Sequence, residues 1–301
     1  METIKGKVSW IDIVKPSEGD INWLKKTYHF HHLILDELRL PSARSKVDFH
    51  KDYFYFVYYF PVYDPVEKVS RRGEIDFIVT KKEVITVSYE EVEVFNGKRK
   101  SLKPESHILL DSLTLVHYLI ETLLSFQQRQ LIHIGQKVEE VSLELFKERE
   151  KQREQELLQK ISYLKRDISQ YRIIIKPQRH ILESFFQGGC NFLGTQCQIY
   201  LNDLIGEHMK IVDQLEDYRQ AVEDFESTNN QLIGLKNAQV VRTFTILAFV
   251  TFPMMLFSAI FSMNTKNTPI VESENGFWII LAIMVAAMFV MFAYFRKRDW
   301  L

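Results

Sequence analysis

Acidic side chains are concentrated between residues 201 and 226. The stretch holds eight carboxylates against Lys210 and Arg219, so its net charge is −6 (eight negative charges less two positive). If a helix of this charge is repeated around an axis, it concentrates divalent cations. Hard divalent cations prefer oxygen ligands of this kind. A solvated charged face is the other interpretation of such a run, and both stay open. The eight carboxylates are Asp203, Glu207, Asp213, Glu216, Asp217, Glu223, Asp224 and Glu226.

The sequence lacks enzyme motifs. It has no Gly-rich phosphate loop and no convincing nucleophile–base pair, so we expect a protein that is not an enzyme and needs no cofactor. Residues 29–32 (HFHH) have no cysteine or carboxylate at ligand spacing, which predicts a structural role within a helical segment. Cys190 and Cys197 are expected to be reduced thiols on one helix face, about 10 Å apart. With 38 basic and 39 acidic residues, the chain lacks the basic surface of a nucleic-acid-binding protein.

A heptad pattern runs through the acidic stretch. Ten positions from 201 to 232 alternate steps of three and four, and eight of them are apolar; the exceptions are His208 and Asn229. Such a pattern is typical of a helix that packs against partner helices. No helix stop separates it from the apolar run that begins at Thr243. The pattern therefore predicts a stalk helix that continues into that run and assembles with further copies around an axis.

Two runs of 19 residues without a charge, 243–261 and 277–295, are long enough to cross a bilayer. Arg242 precedes the first run, and the basic residues 296–298 follow the second. Because basic residues stay on the cytoplasmic side, both termini are expected in the cytoplasm. The first residues, METIKGKVSWIDIV, lack the apolar stretch of a signal peptide, so no cleaved targeting segment is expected. The sequence thus predicts an integral protein in contact with membrane lipid.

Residues 1–105 have the pattern of a mixed α/β domain. Aromatic or β-branched runs at 53–60, 76–79 and 84–88 are bounded by proline, glycine or paired lysines, and they predict strands. A loop is expected where Gly97 and Pro104 follow them.

Helical patterning begins near residue 108. Residues 136–176 contain no Gly or Pro and predict one long solvated helix. Pro177 and the pair Gly188–Gly189 are expected to interrupt the pattern before it resumes near Ile199. The predicted segments are an α/β domain (1–105), antiparallel long helices (106–198), a stalk helix (199–242), a first span (243–261), an outer loop (262–276), a second span (277–295) and a basic tail (296–301).

Several short motifs occur together along the chain. They are Trp10-Ile11-Asp12, an aromatic strand after a basic loop (38–61), EIDF at 74–77 leading into VITV at 84–87, Pro253 in the first span and the C-terminal FRKRDWL. In this order and spacing the chain resembles the CorA family of divalent-cation channels over nearly its whole length. The resemblance implies a homopentamer with a funnel-shaped α+β cytoplasmic domain, in which a mixed sheet with helices precedes a long stalk helix and two transmembrane helices.

At the outer end of the first span, Ser262-Met263-Asn264 stands where the family has Gly-Met-Asn. The resemblance implies that these residues form a selectivity filter, in which five Asn264 carboxamides contact a hydrated cation. The other interpretation of Asn264 is a helix C-cap. Ser262 departs from the family pattern, and it either changes the local turn or adds five hydroxyls to the filter. Residues 268–270 (TPI) keep only the proline of the family's Met-Pro-Glu loop.

Below the filter, the resemblance assigns one face of the first span to the pore. It implies a gate at Phe252 and Val241, where a narrow apolar lining closes by dewetting, although packing is an equal interpretation of such a face. Asp203 falls on the family's stalk aspartate and is the candidate sensor, at which cytoplasmic Mg²⁺ bound between subunits holds the channel closed. The six positions of the pore face are Val241, Thr245, Ala248, Phe252, Met255 and Ala259.

These features together predict a channel that passes Mg²⁺, with Co²⁺ or Ni²⁺ as further ions, across a plasma or inner membrane. One alternative is a proton-coupled zinc transporter on the same scaffold, although the pore face offers no Cys, His or carboxylate to Zn²⁺. The other alternative is a non-conducting membrane-anchored sensor or scaffold, which Ser262, Lys266 and the missing loop glutamate motivate.

Overall fold

A six-stranded sheet, long helices and two apolar helices make up the computed structural model, which describes residues 1–147, 151–194, 197–263 and 275–298. The chain divides into two units, Met1–Glu226 and Ser227–Leu301. The strands are β1 (Glu2–Ile4), β2 (Ser9–Val14), β3 (Val47–Phe49), β4 (Tyr53–Asp64), β5 (Val69–Thr80) and β6 (Glu83–Ser88). The helices are α1 (Glu18–Tyr28), α2 (His32–Glu37), α3 (Glu93–Ser101), α4 (Ser112–Leu145), α5 (Lys151–Ile175), α6 (Gln178–Leu193), α7 (Cys197–Ser262) and α8 (Gly276–Lys297).

The sheet is mixed, with the strand order β1-β2-β6-β5-β4-β3. Strands β2 and β6 are parallel and every other neighbouring pair is antiparallel. The three predicted strands at 53–60, 76–79 and 84–88 lie in β4, β5 and β6, so these predictions are confirmed. Residues 53–60 are buried without exception. A strand covered on both faces has no solvent side, which is why this run is continuously apolar or aromatic rather than alternating.

Helices cover both faces of the sheet. On one face, Ile13, Tyr55 and Ile85 pack in a buried cluster with residues of α1 and α2. On the other face, the Phe185 ring of α6 lies 5.1 Å from Phe54 and 5.5 Å from Phe56, centroid to centroid. The first unit therefore has a three-layer α/β/α arrangement, as expected from the need of each sheet face to bury its apolar side chains.

Two residues of the motif Trp10-Ile11-Asp12 belong to a chain of buried polar contacts, from Trp10 through Thr86 and Asp12 to Arg99, which we call the relay. Trp10 Nε1 donates to Thr86 Oγ1 (2.9 Å), and the Thr86 hydroxyl donates to Asp12 Oδ1 (2.5 Å). Arg99 of α3 completes the relay, because its Nε lies 2.8 Å from Asp12 Oδ2. All three inner side chains are at most 4% exposed. The motif therefore links β2, β6 and α3 and has a structural role.

Replacing the central hydroxyl of this relay is expected to destabilise the protein. In Thr86→Val the Trp10 N–H loses its acceptor and Asp12 loses its donor, so we expect the free energy of unfolding to fall by about 1–3 kcal/mol. Urea unfolding of the full-length protein in detergent, followed by circular dichroism, measures the change. Thr3→Val, at an exposed position of β1, is the matched control. Equal stability of the two variants would contradict the relay.

A pair of carboxyl groups is buried on the α1–α2 face of β5. Glu74 and Asp76 are 5% and 0% exposed, and they stand two residues apart on one side of the strand. Tyr89 donates its hydroxyl to Asp76 Oδ2 (2.8 Å), and the Ser42 N–H donates to Glu74 Oε1 (2.7 Å). The second oxygen of each carboxyl has no hydrogen-bond donor among the described residues. Two buried carboxyl oxygens, Glu74 Oε2 and Asp76 Oδ1, are therefore without a hydrogen-bond donor in the described part of the chain.

The prediction of one helix over 136–176 is wrong, because α4 ends at Leu145 and α5 begins at Lys151. The two helices run antiparallel, with Lys160 Nζ 2.5 Å from Glu144 Oε1 and Lys137 Nζ 3.8 Å from Asp167 Oδ2. Folding back buries an apolar stripe of each helix against the other. A chain of strong helix formers can turn without glycine or proline when this tertiary burial outweighs local propensity.

The expectation of a loop at Gly97 is wrong, because this glycine lies inside α3. The predicted interruption at Gly188–Gly189 is also wrong, because both glycines lie inside α6, which ends at Leu193 and is capped by Gly194, where φ is 102°. A Cβ on Gly188 would stand 2.2 Å from the Phe49 ring, so a missing side chain lets β3 approach the helix. Glycine in this helix therefore serves close packing, and only Gly194 supplies a left-handed backbone.

The break at Gly194 also changes the expectation for the cysteines. Cys190 lies in α6 and Cys197 begins α7, so the prediction of one shared helix face is wrong, although both thiols are free. Burial, together with the neighbouring Cys190 thiol, raises the pKa of Cys197. The histidine run lies at the junction of α1 and α2 rather than within one helical segment. His29 ends α1 with φ 55°, and His31 Nδ1 accepts from the Leu33 N–H (3.3 Å) at the start of α2.

Candidate functional site

The acidic stretch of α7 is partly neutralised within the chain. Glu216 Oε2 lies 3.2 Å from Arg172 Nε, and Glu226 Oε2 lies 2.6 Å from Lys165 Nζ. Both cations belong to α5. Within α7, Lys210 binds Glu207 and Arg219 binds Glu216 and Glu223. The net charge counted along 201–226 therefore overstates the field of this stretch in the folded chain.

Asp203, the candidate sensor, has a partner in α4. Its Oδ2 lies 3.0 Å from His117 Nε2, and Glu121 Oε2 lies 3.9 Å from the other ring nitrogen, Nδ1. The imidazole also contacts the Tyr200 ring, with 5.0 Å between the centroids. Asp203 itself keeps 56% of its side chain exposed. The structure thus places the candidate sensor at the surface, with one side engaged by a histidine.

The remaining carboxylates of α7 form one exposed face. Asp203, Asp213, Asp217 and Asp224 fall on the same side of the helix in steps that follow the heptad, and all four are exposed. Asp213 and Asp217 form no ion pair with any residue that the structure describes. No group of three or more His, Cys, Asp or Glu side chains is placed to hold a metal ion within the described part of one chain. This acidic face can therefore complete a cation site only with ligands from elsewhere.

The heptad seam of residues 201–222 is filled by the chain's own helices. Six of its seven members are buried, and the half-buried Tyr218 packs so closely on α4 that a Cβ at Gly135 would lie 2.3 Å from the phenol oxygen. Burial lowers the pKa of His208 to about 4, and the charge of Arg179 acts in the same direction. This imidazole is therefore neutral in the seam at physiological pH. Because the partner helices here belong to the same chain, this part of the seam is not itself evidence of assembly. The buried members are Leu201, Leu204, His208, Ile211, Leu215 and Val222.

Two helices are long and apolar enough to cross a membrane. An 18-residue window of α7 has a mean hydropathy of 2.1, and one of α8 has 2.5. Those windows are 0% and 6% buried inside the chain. Apolar side chains exposed on this scale have no partner in water, so a lipid environment or further protein must cover them.

The predicted pore face is an open side of α7. Val241, Phe252 and Met255 are 63%, 70% and 69% exposed, whereas Thr245 is half-buried. The half-buried residues Ile246, Val250, Pro253, Phe257 and Phe261 follow steps of three and four, and we call them the covered face. With 3.6 residues per turn, the covered face lies roughly opposite the predicted pore face. One side of the span is therefore partly covered within the chain, and the other, which includes the predicted pore face, is left for lipid or for a further chain.

Two hydroxyls on this helix bind its own backbone. Thr245 Oγ1 donates to the Val241 carbonyl (2.8 Å), and Ser262 Oγ donates to the Ala259 carbonyl (2.9 Å). Pro253 stands within α7 and has no N–H for the carbonyl one turn earlier. Ser262 is the last residue of the helix and Met263 follows it, exposed by 59%. Asn264 lies outside the described residues, so its predicted place in a filter stays a prediction.

Sequence reasoning missed the cations that face the acidic helix. Lys165 and Arg172 are separated from their partners by 61 and 44 positions, and His117 is separated from Asp203 by 86. These three residues share no motif with the stalk. The one usable signal is the apolar stripe of α4 and α5, which requires another helix to lie against it.

A three-layer α/β/α domain joined to two membrane-crossing helices defines an integral membrane protein of a two-span class. The family model described as "CorA-like Mg2+ transporter protein" matches residues 5–297. The chain therefore belongs to the CorA family, a family of transporters rather than enzymes, which agrees with the absence of enzyme motifs.

Individual relatives agree with this assignment. The chain is similar to the cobalt/magnesium transport protein CorA of Thermotoga maritima, with 24% identity over 296 residues that cover 97% of this chain and 83% of the relative. It shares the fold of the complete CorA magnesium transporter of Methanocaldococcus jannaschii, with a TM-score of 0.83, 16% identity and coverage of 98% and 92%. The ZntB cytoplasmic domain of Vibrio parahaemolyticus matches with a TM-score of 0.55 and 16% identity, covering 77% of this chain and 89% of that domain.

Proposed function

We propose that this chain is one subunit of a homopentameric channel that passes Mg²⁺, and also Co²⁺ or Ni²⁺, down the electrochemical gradient. The observation that carries the proposal is the exposed face of α7 at Val241, Phe252 and Met255, opposite the covered face. Two spans from one chain cannot enclose a water-filled path. Copies of α7 around an axis can, and closed rotational symmetry would place this same face inward in every subunit.

In this arrangement the outer mouth is formed by Ser262, Met263 and Asn264. A ring of Asn264 carboxamide oxygens would accept hydrogen bonds from the water shell of Mg²⁺, which gives up its water reluctantly. Val241 and Phe252 would form apolar constrictions that close by dewetting. The topology that supports inward transport has both termini in the cytoplasm, as the basic residues at 242 and 296–298 favour.

The exposed acidic face of α7 supports a regulatory role for the cytoplasmic ion. Asp203, Asp213, Asp217 and Asp224 would attract Mg²⁺, and the described part of one chain brings no three possible metal ligands together to hold it. If the missing ligands come from neighbouring subunits, bound Mg²⁺ stabilises the closed assembly, and its loss releases the stalks. His117 would compete with the ion for Asp203, since its Nε2 lies 3.0 Å from the carboxylate.

Ion flux into liposomes that contain the purified pentamer tests the proposal. Wild type is expected to admit Mg²⁺ whether or not a pH gradient is present. Asn264→Ala is expected to reduce that flux at least about tenfold, because the hydrated cation loses its ring of acceptors at the mouth. Asn267→Ala, three residues further along the same loop, is the matched control. Unchanged flux in Asn264→Ala would contradict the filter, and absence of Mg²⁺ flux in the wild type would contradict the channel.

A further inference from the structure

A groove unrelated to the acidic helix lies between α4, α5 and the turn that joins β4 to β5. It consists of a cavity of about 640 Å³ and a neighbouring one of about 180 Å³. The two share four lining residues, Tyr63, Lys137, Glu140 and Asp167. Their combined size is in the range of small-molecule sites. The groove lies entirely within the first unit.

Asp167 presents an unused acceptor to this groove. Its side chain is 1% exposed, and its Oδ1 accepts from both the N–H and the hydroxyl of Ser70 (2.7 Å each). Its Oδ2 receives no hydrogen bond from the described residues, because Lys137 Nζ stands off at 3.8 Å. Gln130 Oε1, also on the lining, is a second buried acceptor that has no donor among the described residues. Acceptors in this state are satisfied by water or by a ligand that carries N–H groups.

Basic side chains line the same groove. Arg129, His133 and Lys137 recur every four residues along α4 and so share one side of it. Arg129 forms no ion pair in the described part of the chain, and His133 Nδ1 contacts only the Gln136 amide oxygen (3.1 Å). From the β4–β5 turn, Lys68 extends its ammonium over the Tyr163 ring, 5.3 Å from the centroid. Arg129 and Lys68, which form no ion pair among the described residues, are therefore available to an anion.

The lining of the groove has more Lys and Arg side chains than carboxylates, which favours an anionic ligand. Besides the cations above, Lys160 lines the smaller cavity but is bound to Glu144 (2.5 Å). The opposing carboxylates on the lining are Glu140 and Asp167. Two carboxylates that share the space with several cations are a poor divalent-metal site. The same cations repel a polyamine.

Aromatic rings form part of the walls. Tyr63 and Phe126 line the larger cavity and Tyr163 lines the smaller. Lys137 lies over the Tyr63 face at 4.1 Å from the centroid, which fixes both groups at the junction of the cavities. Flat apolar walls of this kind stack against a planar heterocycle.

We propose that this groove binds a purine nucleotide with an exocyclic amino group, of the type of ATP. The ring lies among the aromatic walls, its amino group donates to Asp167 Oδ2 and Gln130 Oε1, and its phosphates meet Arg129, the unpaired cation that lines the same cavity as Gln130. A purine nucleotide supplies N–H donors, a flat ring and negative charge together. The inference concerns a site separate from the ion pathway and does not rest on ion transport.

Isothermal titration of the full-length protein in detergent, with excess EDTA to remove metal, tests the proposal with three probes. ATP is expected to bind saturably, once per chain. Inosine triphosphate carries an oxygen where ATP has the amino group, so it is expected to bind at least about tenfold more weakly. Inorganic tripolyphosphate carries charge without a ring and is expected to bind more weakly still. Absence of ATP binding at about 1 mM, or equal affinity for all three probes, would overturn the proposal.

Two variants and a control locate the site. Arg129→Glu and Asp167→Asn are each expected to weaken ATP binding at least about tenfold. Arg44→Glu, an exposed residue of the loop after α2, makes the same charge change away from the groove and is expected to leave binding unaltered. If Arg129→Glu and Arg44→Glu weakened ATP binding equally, binding would depend on the overall charge of the protein, and the assignment of ATP to this groove would be overturned. Arg129 is exposed, so this comparison holds even if Asp167→Asn unfolds.

Discussion

A cysteine in place of Met255 is expected to make Mg²⁺ flux sensitive to a charged thiol reagent. Met255 is 69% exposed on the proposed pore face, so a bulky quaternary ammonium group attached there would stand in the path of the cation. In an apolar constriction both its volume and its positive charge oppose conduction, and we expect flux to fall at least about tenfold after labelling. The background carries Cys190→Ser and Cys197→Ser, because these are the two cysteines of the chain.

Val250→Cys is the matched control for this experiment. Val250 lies five residues before Met255 along the same helix but on the covered face, where it is half-buried. Labelling there is expected to be slow and to leave flux nearly unchanged. If Val250→Cys were blocked and Met255→Cys were not, α7 would present its other side to the ion, and the assignment of Val241, Thr245, Phe252 and Met255 to the pore would be wrong.

Asp76→Asn is expected to stabilise the protein at neutral and alkaline pH. Burial raises the pKa of Asp76 well above its ordinary value, and the neighbouring Glu74 charge adds to the effect. The folded state therefore binds a proton at this carboxyl more tightly than the unfolded state does. It follows that the contribution of this carboxyl to stability is fully present below its unfolded-state pKa and is lost as the pH rises through the folded-state pKa of Asp76. An asparagine carries no such cost, and its amide N–H₂ is a donor for the unpartnered Glu74 Oε2.

The expected gain in the free energy of unfolding is about 2–4 kcal/mol at pH 8, shrinking toward zero near pH 4. Urea unfolding across this pH range measures it. Asp52→Asn, an exposed carboxylate that precedes β4, is the control and is expected to follow the wild type at every pH. A gain that does not change with pH, or a loss at pH 8, would mean that the Asp76 carboxyl is already compensated in the native protein.

Much of the fold could be predicted from local patterns, because strong periodicity reports burial directly. The aromatic run at 53–60 predicted β4, and the two charge-free runs predicted the helices that end at Ser262 and begin at Gly276. The errors occur where tertiary packing overrides local preference. Gly188–Gly189 is a helix breaker by composition, yet Phe49 needs the space beside it, so the helix continues to Leu193.

The candidate site was less predictable than the fold. Helical spacing together with the family resemblance predicted a pore face; its residues Val241, Phe252 and Met255 are exposed in the single chain, and their role in a pore stays a prediction. The partial neutralisation of the acidic stretch could not be predicted, because a count of carboxylates along α7 does not include Lys165 and Arg172, which form ion pairs with it from α5. Charge is read along a sequence, whereas an electrostatic field depends on which helices meet in space.

The hydroxyls of Thr245 and Ser262 have a consequence for the kind of ion that the proposed pore would favour. Each hydroxyl donates its only hydrogen to a carbonyl of its own helix, at 2.8 and 2.9 Å, and can therefore act toward other groups only as a hydrogen-bond acceptor. Water bound to a cation points its hydrogens away from the metal, so an acceptor-only wall matches a hydrated cation. Water around an anion points its oxygens outward and would find no donor there. Rings of such residues would therefore discriminate by the polarity of the solvation shell, without any formal charge on the wall.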